Sequence, residues 1–371
     1  MIYLDYNATT PIDKEVADAM QPFLYGNFGN PSSDHELGII AKSAIEEARA
    51  QVAGLVNASP QEIIFTSGGS ESNNMVIKGV AHTLKEKGSH IITSAVEHPA
   101  VLNPCRYLAQ TGCEITILPV DRYGMVDPAA VESAVTKGTI LITIMHSNNE
   151  TGTLQPIEEI AAIAQRHGVL CHTDASQSLG KVAMDVKELG VDFLTIAGHK
   201  LYAPKGIGAL YMKTGIQIEP LIHGAGHESG RRAGTENTPF NVALGRACEL
   251  AGESLKNSKI GELTHYFHAS LREKFPGKIH LNGHPEKRLP NTLNISFLGS
   301  NGHEILAALG GVAASTGSAC HSGMTALSPV LRAMGVDEET GRGAVRFSLG
   351  RGTTKAQIDR VVEKLGSVLV S

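Results

Sequence analysis

Short β-rich runs alternate with helical patterns through the middle of the chain, and this alternation limits the fold more than any other feature. The runs lie at 62–66, 90–94, 114–120, 139–145, 168–174, 192–198 and 207–213. Such spacing is typical of βαβ units around a mostly parallel sheet. Segment 157–168 places its apolar residues on one face of a helix that ends at a glycine. The sequence therefore predicts an α/β fold with a mostly parallel, seven-stranded sheet between helices.

The alternation stops in the last third of the chain. A helix is followed there by two strand-like runs at 279–283 and 292–298, a Gly-rich stretch and a final helix. We therefore expect a large domain over 14–255 and a smaller α+β domain formed by 1–13 and 256–371.

Charge and cysteine content exclude several classes of protein. Lys plus Arg total 32 against 37 for Asp plus Glu, a formal net charge of −5, whereas nucleic-acid binders are usually basic. The five cysteines form no Cys-x-x-Cys pair, which argues against a disulfide framework or a zinc knuckle. The N-terminal residues do not predict a secretory signal, and no apolar stretch has the length expected of a transmembrane helix. We expect a cytoplasmic protein without membrane, direct nucleic-acid or metal contacts.

A Gly-Ser segment, TSGGSESNN at 66–74, follows one predicted strand and opens a helix. The amides of Gly68, Gly69 and Ser70 would then point outward beside the positive end of the helix dipole, an arrangement that binds phosphate. The alternative is an ordinary turn capped by Ser70. The segment is not a Walker loop, because no Gly-Lys-Ser/Thr follows it.

Polar residues follow two further predicted strands. HTDASQ at 172–177 places Asp174 and Gln177 at the edge where open α/β sheets bind ligands. The alternative for Asp174 is a helix cap. Lys200 lies just beyond the next strand, between glycine and proline turns, where an amine can lose its proton and react with an aldehyde. Its alternative is an ordinary lysine that extends to solvent.

Two residues near the end of the chain have reactive or anion-binding side chains. Cys320 lies in a run of small residues, STGSACHSG, which favours an accessible thiol over a packing residue. We interpret Cys105, Cys113, Cys171 and Cys248 as packing residues. Arg346, on a predicted strand, could bind a carboxylate, or could form a structural ion pair. A pyridoxal phosphate site requires a phosphate loop, an aspartate, a lysine and an arginine. The sequence provides them in this order, as the Gly-Ser segment, Asp174, Lys200 and Arg346.

The whole set of motifs resembles the class V aminotransferase-fold cysteine desulfurases. The resemblance covers nearly the whole chain and rests on YLDYNATTP (3–11), FGNPSS (28–33), TSGGSESNN (66–74), EHPA (97–100), NNETG (148–152), HTDASQ (172–177), GHKLYAPKGIGALY (198–211), RRAGTEN (231–237), SACHS (318–322) and RFSLGR (346–351). It implies a homodimeric, fold-type I pyridoxal 5'-phosphate enzyme. Such an enzyme takes sulfur from L-cysteine, releases L-alanine and carries the sulfur as a persulfide on Cys320.

The resemblance also implies roles for individual residues. The implied catalytic residues are Lys200, Cys320 and His98. The implied cofactor-binding residues are Gly69, Ser70, His98, Asp174, Gln177, His199, Lys200 and Thr235. Among them, Thr235 would reach the cofactor phosphate of the other subunit, because the active site is shared between subunits. The implied substrate-binding residues are Asn7, Asn149 and Arg346.

The choice of substrate stays open at this point. Ala197 stands where many desulfurases have a serine that binds the phosphate, and GTENTP and ACHS are closer to selenocysteine lyases. We therefore keep L-selenocysteine as an alternative substrate. An aminotransferase or β-eliminating lyase with the same cofactor, and a sulfur-relay partner with weak catalysis, are further alternatives. The desulfurase interpretation also implies an acceptor protein for sulfur or selenium, as in iron–sulfur assembly.

Overall fold

The computed structural model describes residues 1–316 and 327–369. Its strands are β1 (Ile2–Tyr3), β2 (Ile63–Thr66), β3 (His90–Ser94), β4 (Glu114–Leu118), β5 (Thr139–Thr143), β6 (Leu170–Asp174), β7 (Phe193–Ala197), β8 (Gly208–Met212), β9 (Ile279–Asn282), β10 (Thr292–Phe297), β11 (Val312–Ala313) and β12 (Ala344–Ser348). Its α-helices are α1 (Lys14–Met20), α2 (Pro22–Tyr25), α3 (Glu36–Leu55), α4 (Gly69–Thr83), α5 (Pro99–Ala109), α6 (Pro128–Ala134), α7 (Ile157–His167), α8 (Val186–Leu189), α9 (Thr238–Leu255), α10 (Ile260–Lys274), α11 (Gly302–Ala308), α12 (Pro329–Ala333), α13 (Glu338–Arg342) and α14 (Lys355–Leu369).

The predicted seven-stranded sheet is confirmed. Its strands follow the order β2-β8-β7-β6-β5-β3-β4, and β8 runs antiparallel to both of its neighbours while the other pairs are parallel. β2, β3, β5, β7 and β8 are buried at every position. Because both faces of these strands are buried, their sequences are continuous apolar runs and do not alternate between apolar and polar residues.

The helix predicted at 157–168 is also present. α7 spans Ile157–His167 and buries its apolar residues against the sheet, and Gly168 ends it with φ of 65°. This left-handed conformation favours glycine, because a Cβ would be strained there. Acidic residues in its first turn and basic residues in its last turn match the helix dipole.

The last third of the chain forms a separate antiparallel sheet in the order β12-β10-β9. It packs with α10 and α14 around the buried rings of Phe267, Phe297 and Phe347. Ile2 and Leu4 join this apolar cluster, because β1 pairs with β11 far along the chain. Burying each of these large side chains is worth about 1.5–3 kcal/mol. The domain limits given above, 1–13, 14–255 and 256–371, stay a prediction.

Within the described residues, we find no helix that combines the length and the apolar character needed to cross a bilayer.

Candidate active site

The carboxyl ends of the parallel strands meet at one edge of the large sheet, and a cavity of about 510 Å³ opens there. This volume is in the usual range for small-molecule sites. Ten residues that the sequence singles out line the cavity: Asn7, Gly69, Ser70, His98, Asn149, Asp174, Gln177, His199, Lys200 and Arg346. They come from segments spread over the whole chain.

Asp174 is the last residue of β6 and is almost fully buried. Asn73 Nδ2 donates to its Oδ2 at 2.7 Å, and the backbone N–H of Ser176 donates to its Oδ1 at 2.9 Å. Two donors from different segments therefore fix the direction of the carboxylate. A carboxylate held in this way can pair with a protonated ring nitrogen.

Lys200 ends the short turn Gly198–Lys200 that follows β7. Its Nζ donates to the backbone carbonyls of Asn7 at 2.5 Å and of Ala8 at 2.7 Å. Burial, followed by the positive charge of Arg346, lowers the pKa of Lys200 to about 8. Both causes disfavour the protonated amine, so the lysine is much closer to being a nucleophile than an ordinary surface lysine.

Arg346 lies in the middle of β12, on the sheet contributed by the last third of the chain. Its guanidinium donates to Asp5 Oδ1 at 2.6 Å and to the carbonyl of Asn149 at 3.0 Å. Its buried Nε has no hydrogen-bond partner among the described residues. A buried guanidinium that is held at the cavity wall is well suited to bind a carboxylate.

Gly69 begins α4, directly after β2, and Gly68 caps the helix with φ of 145°. A Cβ on Gly69 would lie 2.9 Å from Ser176 Oγ and 3.4 Å from the Cβ of Ala197. A larger residue would therefore crowd the neighbouring strand ends. Because the first amides of a helix have no partner within it, this cavity wall offers N–H donors to an anion.

Two histidines line the cavity in their neutral form near pH 7. Burial lowers the pKa of His98, and burial together with Lys200 lowers the pKa of His199 to about 4. The backbone N–H of Ala100 donates to Nδ1 of His98 at 3.1 Å. The proton of neutral His98 therefore sits on Nε2. His199 Nδ1 lies 3.2 Å from the hydroxyl of Thr9.

Asn7 forms hydrogen bonds with residues from both sheets of the protein. Its carbonyl accepts from Gln177 Nε2 at 2.9 Å, and its side-chain Nδ2 donates to Thr292 Oγ1 at 2.8 Å and to the carbonyl of Asn149 at 3.2 Å. The N-terminal segment is thus held between both sheets.

Of the remaining two predicted site residues, one lies elsewhere on the surface and the other falls outside the described part of the chain. Thr235 is exposed in the segment before α9, and its predicted contact with a second subunit's cofactor stays a prediction. Cys320 lies outside the described residues, so its predicted role also stays a prediction. Cys105, Cys171 and Cys248 are buried, and Cys113 is half-buried.

Several residues that sequence reasoning missed contribute to the site: Asp5, Asn73, Ser176 and Lys181. Asp5, Asn73 and Ser176 lie inside motifs quoted above, so their neighbours provided a signal. Lys181 lies four residues after Gln177, and the sequence contains no comparable sign of its contacts.

Comparison with known proteins gives a consistent result. The family model described as "Aminotransferase class-V" matches residues 2–361. The protein named cysteine desulfurase IscS from Dictyoglomus turgidum is 50% identical over 99% of this chain and 96% of its own length. The protein of the same name from Methanosarcina thermophila is 48% identical over 99% of this chain and 92% of its own length.

Solved structures agree in fold. A structure titled "NIFS-LIKE PROTEIN" superposes with a TM-score of 0.93 at 37% identity, covering 100% of this chain and 99% of that one. A structure titled "SspA in complex with cysteine" superposes with a TM-score of 0.85 at 39% identity, covering 94% of this chain and 99% of that one.

Proposed function

This chain belongs to the class-V aminotransferase family, and we propose that it is a pyridoxal 5'-phosphate-dependent cysteine desulfurase. The reaction converts L-cysteine to L-alanine and leaves the sulfur on Cys320 as a persulfide. Relatives named cysteine desulfurase IscS, alike over nearly their whole length, support it. The observation that carries it is the arrangement of Asp174, Lys200 and Arg346 around one cavity.

The chemistry of the cavity wall fits pyridoxal phosphate. The start of α4, at Gly69 and Ser70, would hold the phosphate, and the fixed carboxylate of Asp174 would hold the pyridine nitrogen. Lys200 would bind the cofactor's aldehyde, with Gln177 at the ring oxygen and His98 against the ring. His199 would support the phosphate. When bound, the cofactor supplies an electron-poor ring that stabilises negative charge at the α-carbon of the substrate.

Residues of the chain would bind the substrate and transfer its protons. Arg346 and Asn149 hold the substrate carboxylate, with Asn7 close by. The Lys200 amine takes the α-proton, a role for which a pKa of about 8 is suitable, because about one amine in ten is then free at pH 7. His98, neutral and protonated on Nε2, moves a proton between substrate and solvent.

Cys320 completes the reaction. Its thiolate attacks the sulfur of the substrate, the bond between that sulfur and the β-carbon breaks, and the electron pair stays with the carbon side. Protonation of that carbon and release from the site give alanine, and the sulfur remains on Cys320 as a persulfide. A free thiol has a pKa of about 8.5, so a nearby base must activate it.

The proposed function also has consequences for oligomeric state, cellular location and partner proteins. We propose a homodimer in the cytoplasm, in which Thr235 reaches the cofactor phosphate of the second subunit. Its exposed position before α9 supports such a contact. A sulfur-acceptor protein would then take the persulfide from Cys320.

The experiment is to incubate purified holoenzyme with L-cysteine and to measure alanine, pyruvate and sulfide. We expect alanine without pyruvate, and we expect Cys320→Ala to lose alanine formation from cysteine. Cys248→Ala, which removes a buried packing thiol, is the matched control and should keep it. Pyruvate with sulfide would instead assign a β-eliminating lyase, and wild-type alanine production by Cys320→Ala would overturn the desulfurase proposal.

A specific observation keeps selenocysteine lyase activity as a second candidate. Ala197 lines the cavity without the hydroxyl that many desulfurases have there. The discriminating measurement compares kcat/KM for L-cysteine and L-selenocysteine, since that ratio defines specificity. A preference of more than about tenfold for selenocysteine, about 1.4 kcal/mol, would assign the lyase.

A further inference from the structure

A second lysine amine contacts two residues of the cavity wall, although Lys181 does not itself line the cavity. Lys181 Nζ donates to Oε1 of Gln177 at 2.8 Å and to Oδ1 of Asn7 at 3.2 Å. Both of these acceptors belong to side-chain amides, and Gln177 and Asn7 are themselves almost fully buried. One amine therefore links two residues of the cavity wall.

These contacts decide which way each amide faces. An amide has an oxygen that accepts and an NH₂ group that donates, and the two ends are nearly equal in shape. A lysine amine supplies donors, so the oxygen of each amide faces Lys181. Asn7 Oδ1 also accepts from Asn291 Nδ2 at 3.0 Å, whereas Gln177 Oε1 has Lys181 as its donor. The NH₂ group of Gln177 then faces the other way, where one hydrogen bonds the carbonyl of Asn7. The second hydrogen has no partner among the described residues and is available to a ligand in the cavity.

The surroundings of Lys181 disfavour a positive charge there. Burial, Lys200 and Arg346 all lower the pKa of Lys181 well below its usual value. A neutral amine still has two hydrogens, which is the number that its two amide acceptors require. The residue can therefore donate both bonds whether or not its amine is protonated.

We propose that Lys181, held in place by the Asn7 amide, is a positioning residue that fixes the side-chain amide of Gln177 so that the Gln177 NH₂ group faces the cofactor. This inference rests on the proposed function, because it assumes that pyridoxal phosphate occupies the cavity. It assigns Lys181 no contact with substrate or cofactor.

The experiment starts from the holoenzyme and measures the rate at which it releases pyridoxal phosphate into a trapping buffer. The variants are Lys181→Met, Gln177→Leu and their double variant. Lys187→Met, which removes an exposed lysine, is the matched control. We expect Lys181→Met to speed release by about tenfold and to shift the absorbance maximum of the bound cofactor, effects in the range of coupled neighbours. The double variant should release no faster than Gln177→Leu alone.

A rescue variant keeps the test independent of folding. Lys181→Gln restores an NH₂ donor and should release the cofactor several-fold more slowly than Lys181→Met, since a lost donor leaves a buried amide oxygen unsatisfied. Wild-type release and absorbance in Lys181→Met would overturn the inference. So would effects of Lys181→Met and Gln177→Leu that multiply in the double variant. A wild-type protein that binds no pyridoxal phosphate would instead overturn the proposed function.

Discussion

Two buried groups of charges in this protein differ in how completely they are paired. One is the ion pair between Arg49 on α3 and Glu228, whose side chains are 9% and 2% exposed. Arg49 donates to both carboxylate oxygens of Glu228, at 2.6 and 3.0 Å, and the backbone N–H of Phe65 also donates to Glu228, at 3.1 Å. Both oxygens of Glu228 are bonded, and the Nε of Arg49 also contacts the exposed carboxylate of Glu46 at 3.2 Å.

The other group lies at the cavity, and there the pairing is incomplete. Among the described residues, Lys200 Nζ donates to two backbone carbonyls and to no carboxylate, and the Nε of Arg346 has no partner. Positive charge without a matching anion costs free energy in a folded protein, and a phosphate or carboxylate ligand would relieve it. We therefore expect the paired group to contribute to stability and the incompletely paired group to bind an anionic ligand.

Of the changes considered, substitution of Lys200 in the cavity should have the largest effect on activity. We expect Lys200→Ala to lower alanine formation by about 10³-fold or more, because the variant loses both the cofactor attachment and the proton acceptor. The measurement is alanine produced per minute from L-cysteine. Lys205→Ala, an exposed lysine in the same loop, is the control and should stay near wild type. A loss of less than tenfold in Lys200→Ala would contradict the role given to the cavity charges.

The next effect concerns stability. We expect Arg49→Leu to lower the free energy of unfolding by about 3–5 kcal/mol, because it leaves Glu228 buried without its counter-ion. The double variant with Glu228→Leu should lose less than Arg49→Leu, since no unpaired charge remains. Urea denaturation measures both.

The matched control for this prediction is an exposed pair. Arg166 and Glu132 lie 3.0 Å apart, with side chains 56% and 49% exposed, and breaking such a pair costs about 1 kcal/mol or less. If Arg49→Leu were no more destabilising than Arg166→Leu, the paired group would not be the stabilising one.

Much of the fold could be predicted from the sequence because its signals are local. Each buried strand of the large sheet appears as an apolar run, and α7 shows both its apolar face and its terminal glycine. The site could be predicted in large part for a geometric reason. Parallel strands place their carboxyl ends at one edge, so residues after β2, β6 and β7 had to come together.

The remaining contacts could not be predicted, because they join segments with no shared pattern. Asn73 reaches Asp174 across 101 positions, and Asp5 reaches Arg346 across 341. Lys181 resembles any lysine that follows a glycine, and its role depends on where Asn7 lies. Residue types and spacing describe each segment, whereas these hydrogen bonds depend on how the two sheets are placed against each other.

The smallest expected effect is a pH dependence, which reports how the surroundings of Lys200 change the pKa of its amine. Only the unprotonated amine can attach to pyridoxal phosphate. With a pKa of about 8, about one amine in ten is free at pH 7, against about one in 2,500 for an ordinary lysine. The rate at which cofactor-depleted protein attaches pyridoxal phosphate should therefore rise about tenfold per pH unit up to pH 8 and level off above it.

Removing the neighbouring charge should move this profile in a known direction. Arg346 lowers the pKa of Lys200, so Arg346→Met should raise it and shift the plateau to higher pH, with slower attachment at pH 7. Rapid-mixing absorbance between pH 6 and pH 10 follows the reaction. Arg166→Leu, which removes an exposed arginine that does not line the cavity, should leave the profile unchanged. A wild-type rate that continues to rise to pH 10 would mean that the cavity cations do not act on Lys200, and the distinction between the paired and unpaired groups would then fail at the residue on which catalysis depends.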